Sequence, residues 1–119
     1  MNKLLLTCVL LAMTFFTVGV TLYSNPKPLN SVFGYRTRTS RRNQDTWDEA
    51  NNYAGKCLMY ASILMMGVII LSDFLFNDLV RMLESLGTCI IISIIFIFFL
   101  TERRMKQVFF RDGKRKPNR

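Results

Sequence analysis

Three long apolar stretches, residues 4–22, 57–76 and 86–100, leave little of this 119-residue chain for a water-soluble core. In water, contiguous apolar surface of that extent costs free energy and draws chains together. A bilayer removes the cost, and an apolar helix of about 20 residues matches a hydrocarbon core of roughly 30 Å. The expected architecture is an all-α membrane domain over residues 1–119, with spans near 4–23, 55–76 and 82–101. A connection at 24–54 and a tail at 102–119 complete it.

Charge placement orients that architecture. Sixteen Lys and Arg stand against eight Asp and Glu, a net charge of +8. Lys27, Arg36, Arg38, Arg41 and Arg42 fall in the first connection, and Arg103, Arg104, Lys106, Arg111, Lys114, Arg115, Lys116 and Arg119 in the tail. The second connection carries Arg81 against Asp73, Asp78 and Glu84. Basic residues are retained on the cytoplasmic side of short loops. The first connection and the tail are therefore expected inside, and the N-terminus and second connection outside. A basic cytoplasmic face also suits contact with anionic lipids. Direct nucleic-acid binding is not expected, because no fold is present that would aim these charges into a groove.

Local signals refine the spans. Met1-Asn2-Lys3 before an apolar run also opens a signal peptide, but the run is long and Tyr23-Ser24-Asn25 offers no small-residue cleavage pattern, so a retained helix is expected. Pro26 and Pro28 should end it. Thr46-Trp47-Asp48-Glu49 fits a capping box, with Thr46 as N-cap and Glu49 reaching back. The second helix would then start ahead of the membrane, with Trp47 anchored at the interface. Gly55 and Gly67 read as glycines tolerated in a membrane helix rather than as contact points. The third span is rich in Ile and Phe, which in water favours a strand. In lipid a lone strand leaves backbone groups unpaired, so a helix is expected. Arg81 and Glu84, one turn apart, are expected to pair, and Asp73 to reach water from a helix end.

The usual catalytic sets are missing. The chain has no His, and Cys8, Cys57 and Cys89 all lie in or beside apolar spans, where they serve as small apolar side chains. Neither a cysteine–histidine pair nor a zinc site can be assembled from them. Asp45, Asp48 and Glu49 suit a helix start better than paired acid–base chemistry. No catalytic, metal or cofactor role is expected.

The distinctive signal is Pro28-Leu29-Asn30-Ser31-Val32-Phe33-Gly34-Tyr35-Arg36-Thr37, followed by Trp47-Asp48-Glu49-Ala50-Asn51. Gly34 can take backbone angles closed to other residues. Arg36 offers a planar fork of donors to carbonyls, a carboxylate or a lipid phosphate. Asn30 and Asn51 can tie loop backbone to helix. Asn30, Gly34, Arg36, Thr37, Trp47 and Asn51 are the candidate site residues, as a loop clasp or as a partner site.

This Asn-x-x-x-Gly-x-Arg-Thr stretch, with a Trp and an Asn leading into a membrane helix, resembles the SdpI family of bacterial membrane proteins. The chain looks like the single short domain of that family, without the additional spans of longer relatives. The resemblance implies a multi-pass cell-membrane protein, immunity to a secreted membrane-active peptide toxin, and signalling by holding a cytoplasmic repressor at the membrane. The alternative class is a small transporter or channel component that works as a homo-oligomer. The scarcity of polar residues within the spans disfavours an ion path through one protomer.

Overall fold

A computed structural model describes residues 3–24, 28–30 and 32–117. Three helices, α1 (Lys3–Ser24), α2 (Gln44–Phe76) and α3 (Leu79–Val108), follow one another along the chain. All three are long and apolar enough to cross a membrane. Helix formation satisfies every interior backbone group within its own segment, which lipid requires. Several hydroxyls within the spans follow the same rule, whereas Thr101 Oγ1 of α3 is buried without a hydrogen-bond partner among the described residues. Thr14, Thr17 and Thr21 of α1 donate to the carbonyls of Leu10, Met13 and Thr17, and Ser62 of α2 donates to Leu58. α1 ends at Ser24; the expected stop at Pro26 lies outside the described residues.

α2 is the central element, packed against α1 on one side and α3 on the other. The buried residues of α1 are Cys8, Ala12, Gly19 and Leu22, a face of mostly small side chains. Small residues let helix backbones approach in lipid, where packing rather than water release holds helices together. The approach is closest at Gly19 and Gly55. A Cβ on Gly55 would stand 2.6 Å from the Gly19 carbonyl oxygen and 2.7 Å from the Tyr23 nitrogen. Gly55 is therefore a contact point, against the expectation that it was merely tolerated. Gly67 faces open space, as expected. Farther along, Cys8 and Ala12 meet Met65 and Ile69 of α2 and Met82 and Leu86 of α3 in one apolar cluster.

At 33 residues, α2 is about 50 Å long, more than the hydrocarbon thickness of roughly 30 Å. The longest dimension of the molecule is 52 Å. The surplus length carries the first turns of α2 into the layer of the motif loop. Its start differs from the expectation by one turn. Asn43 is the N-cap, and its side chain accepts from the Thr46 N–H while Thr46 Oγ1 accepts from the Asn43 N–H. Thr46 thus closes the capping box instead of opening it, and Glu49 is released for ion pairs.

At the opposite end, Asn77 adopts a left-handed conformation (φ 45°) and its N–H reaches the Asp73 carbonyl. Asp78 then caps α3 by accepting from the Val80 N–H at 3.0 Å. Two residues thus reverse the chain. Arg81 pairs with Asp78 at 3.8 Å and stacks over Phe76, so its carboxylate partner is the helix cap and not Glu84. The cap stands nearer because it lies outside the helix, where its side chain is free to turn toward the first exposed turn.

Candidate functional site

The motif loop folds onto the first turns of α2. Asn30 Oδ1 accepts from the N–H groups of Val32 and Phe33, and its Nδ2 donates to the Pro28 carbonyl, an Asx turn that bends the loop on itself. Gly34 follows with φ +123°. A Cβ there would lie 2.6 Å from Asn51 Oδ1 and 2.9 Å from the Trp47 ring, so only glycine lets the backbone pass this close. The passage brings the Tyr35 N–H to Asn51 Oδ1 at 2.6 Å, while Asn51 Nδ2 donates to the Trp47 carbonyl one turn back. Trp47 and Asn51 are each only 1% exposed. The indole therefore lies beneath the loop rather than exposed to lipid headgroups as an anchor, because Gly34 lets the backbone pass directly over it.

Thr37 and Ser40 form the next turn. The Thr37 N–H donates to Ser40 Oγ, the Ser40 N–H donates to Thr37 Oγ1, and Ser40 Oγ donates to the Tyr35 carbonyl. Thr46 Oγ1 donates to the Ser40 carbonyl, so the turn is tied to the cap of α2. Tyr35 OH and Thr37 Oγ1 both donate to Glu102 Oε1 on α3, at 2.9 and 2.8 Å. Burial and then the Glu102 carboxylate push the Tyr35 phenol well above its ordinary range. The phenol is a fixed donor across the physiological range, which suits a permanent tie between loop and helix.

The basic tail is folded as well. α3 continues through Val108, and the chain then doubles back, with Phe109 bridging to Arg115 and the Lys116 N–H reaching the Val108 carbonyl. Arg115 pairs with Asp45 at 2.6 Å and with Glu49 at 3.5 Å, and Glu49 also meets Arg104 at 3.0 Å. Hydrogen bonding to Arg115 holds the Asp45 carboxyl below its usual range. Asn43 Nδ2 and Arg42 Nη1 add bonds to the Gly113 and Phe110 carbonyls. Ala50, Met105 and Phe109 form a small apolar core under this layer.

The candidates thus divide by role. Gly34, Trp47 and Asn51 meet in one contact, Thr37 joins them through Tyr35 and Glu102, and Asn30 shapes the loop from within it. Arg36 is exposed and stands at the wall of a groove lined by side chains of all three helices. Sequence reasoning missed Tyr35, Ser40, Asn43 and Glu102 as parts of this unit. Glu102 had one visible signal, a carboxylate set between an apolar span and a run of Arg and Lys. Among the described residues, no cluster of His, Cys, Asp and Glu has the makings of a metal site.

Comparison with known proteins agrees with this arrangement. Residues 27–101, from the motif loop through the second and third spans, match the family model described as the SdpI/YfhL protein family. A relative from Bacillus subtilis (strain 168), described as the uncharacterized protein YfhL, is 35% identical over 82 residues, covering 68% of each chain. No solved structure matches. With its three membrane-length helices and the loop that closes one end of them, this chain belongs to the SdpI/YfhL family of multi-pass membrane proteins.

Proposed function

We propose that this protein protects its cell membrane against a membrane-active peptide toxin, acting as a binding protein and not as an enzyme. The observation that supports this reading is the separation of polar from apolar structure. Residues 4–24, 57–72 and 85–101 contain no charged side chain, so the spans offer no track for an ion. The polar chemistry is gathered into one rigid layer at the loop end of the bundle, built from 34–51, Glu102 and the folded tail. A rigid polar layer joined to a greasy bundle suits recognition, whether of a toxin in the bilayer or of a cytoplasmic regulator.

The orientation that goes with this reading puts the loop and tail in the cytoplasm and the N-terminus outside, since the basic residues gather there. On a cysteine-free background, single cysteines at Arg38, Leu79 and Lys114 test it in intact cells. Labelling of Leu79→Cys alone by an impermeant reagent is the expected result; labelling of the other two with Leu79→Cys protected reverses the orientation. For function, survival under a membrane-active peptide toxin is compared with and without the gene, at matched membrane abundance. Protection is expected from the wild type and from Arg41→Ala, and reduced protection from Arg36→Ala. Equal survival with and without the gene sinks the immunity reading.

A further inference from the structure

α1 and α3 flank α2 without closing over it at the loop end, and the space left between them is a groove of about 430 Å³. Leu22 of α1, Ala54 and Leu58 of α2, and Ile94, Ile97 and Phe98 of α3 line it, and Gly34, Tyr35, Arg36 and Thr37 of the loop complete it. The volume falls within the roughly 300–1,000 Å³ typical of ligand sites. Its walls are almost wholly apolar, as a hydrocarbon chain requires. Its polar end carries one cation, the exposed Arg36.

We propose that this groove holds a single anionic phospholipid, with one acyl chain along Leu58 and Ile94 and the headgroup phosphate on Arg36. Depth and charge both argue for that occupant. Ile94, Ile97 and Phe98 belong to the membrane span of α3, so whatever fills the groove enters from the hydrocarbon side. Arg36 lies on the loop that closes the span, the level at which a phosphate sits. A guanidinium carries five donors, enough to hold a phosphate beside contacts within its own chain. Glu102 of α3 keeps its charge but is tied through Oε1 to Tyr35 and Thr37 and is not among the residues that line the groove. This inference needs only the membrane placement of the helices and stands apart from the toxin reading.

Native mass spectrometry of the purified chain in detergent tests it, with phosphatidylglycerol and phosphatidylcholine of identical acyl chains as probes. The wild type is expected to retain one phosphatidylglycerol about fivefold more strongly than phosphatidylcholine, the effect of one basic side chain at a lipid headgroup. Arg36→Gln should abolish that preference, and Arg41→Gln should preserve it. Ile94→Trp, which fills the groove from the α3 wall away from the hydrogen-bonded loop, should lower retention of both lipids. Equal retention of the two lipids by the wild type shows a greasy surface only and overturns the proposal, as does a preference that survives Arg36→Gln. If Arg36→Gln does not fold, Ile94→Trp still decides: unchanged phosphatidylglycerol binding with the groove filled overturns it.

Discussion

The two ends of the bundle solve the same problem, turning the chain between antiparallel helices, by opposite means. At the Asn77–Asp78 end, one left-handed residue and one helix cap suffice, and the pair between Arg81 and Asp78 is 3.8 Å long with both side chains about half exposed. At the loop end, buried Asn51, Ser40 and Thr46 and half-buried Tyr35 and Thr37 hold one another, and a carboxylate from α3 joins them. The first kind of turn accepts many sequences, because caps and exposed ion pairs are each worth little. The second demands particular residues, since a buried donor or acceptor that loses its partner costs its full desolvation. Specific sequence was therefore spent at one end, and function is best sought there.

The sharpest test of that contrast sets Gly55 against Gly67, which lies toward the simple turn. Gly55→Leu must push α1 away, since even a Cβ meets Gly19 and Tyr23 backbone below 3 Å. A loss of about 3 kcal/mol or more is expected in unfolding from detergent micelles. Gly67→Leu should change stability by less than about 0.5 kcal/mol, because its Cβ faces open space. Similar losses at both positions would break the comparison.

A second pair sets the clasp against the cap. Asn51→Ala strands the Tyr35 N–H beneath the loop, and about 1–3 kcal/mol should be lost. The 36–42 segment should also become open to protease, with the membrane spans intact. Asp78→Ala removes a cap and a long, exposed pair with Arg81, at about 1 kcal/mol, and should leave that segment protected. Nicking that does not respond to Asn51→Ala would mean the loop and α2 are not one unit.

The smallest expected effect is a pH dependence at the tail. Arg115 holds the Asp45 carboxyl below its ordinary value of 3.8, so as pH falls the unfolded chain takes up this proton first. The contribution is complete above that ordinary value and disappears as pH drops through the lower, folded one. Asp45 is half exposed, so about 0.5 kcal/mol is at stake. Acid unfolding of Asp45→Asn should lack this increment, whereas Arg81→Ala should shift stability by no more than about 0.5 kcal/mol. An Asp45→Asn acid limb identical to the wild type would remove the tail from the rigid layer.

The three spans were legible in the sequence because lipid permits few answers: a long apolar run must be a helix. The start of α2 was legible to within one turn, since Asn43 and Thr46 are both capable caps and local sequence does not rank them. The Gly34, Trp47 and Asn51 contact was legible as a set of special residues, but the burial of Trp47 was not. An indole suits an exposed interface as well as a place beneath a loop, and only the position of Gly34 decides between them. Glu102 was hidden by distance, since its bonds to Tyr35 and Thr37 span 67 and 65 residues. The folding of the tail was hidden too, because a basic run reads as topology and lipid contact whether or not it is ordered.

The length of α2 has a mechanical consequence. The same unbroken helix that contacts α1 and α3 in the bilayer ends in Trp47 and Asn51, on which the loop is seated. It is a lever: a rigid rod of that length pivoting by about 10° at its Asn77 end carries the Gln44 end sideways by roughly 9 Å. Membrane helices answer a thinner bilayer by tilting. A tilt of that size in α2 would therefore displace the loop and tail seated on its Gln44 end by a comparable distance.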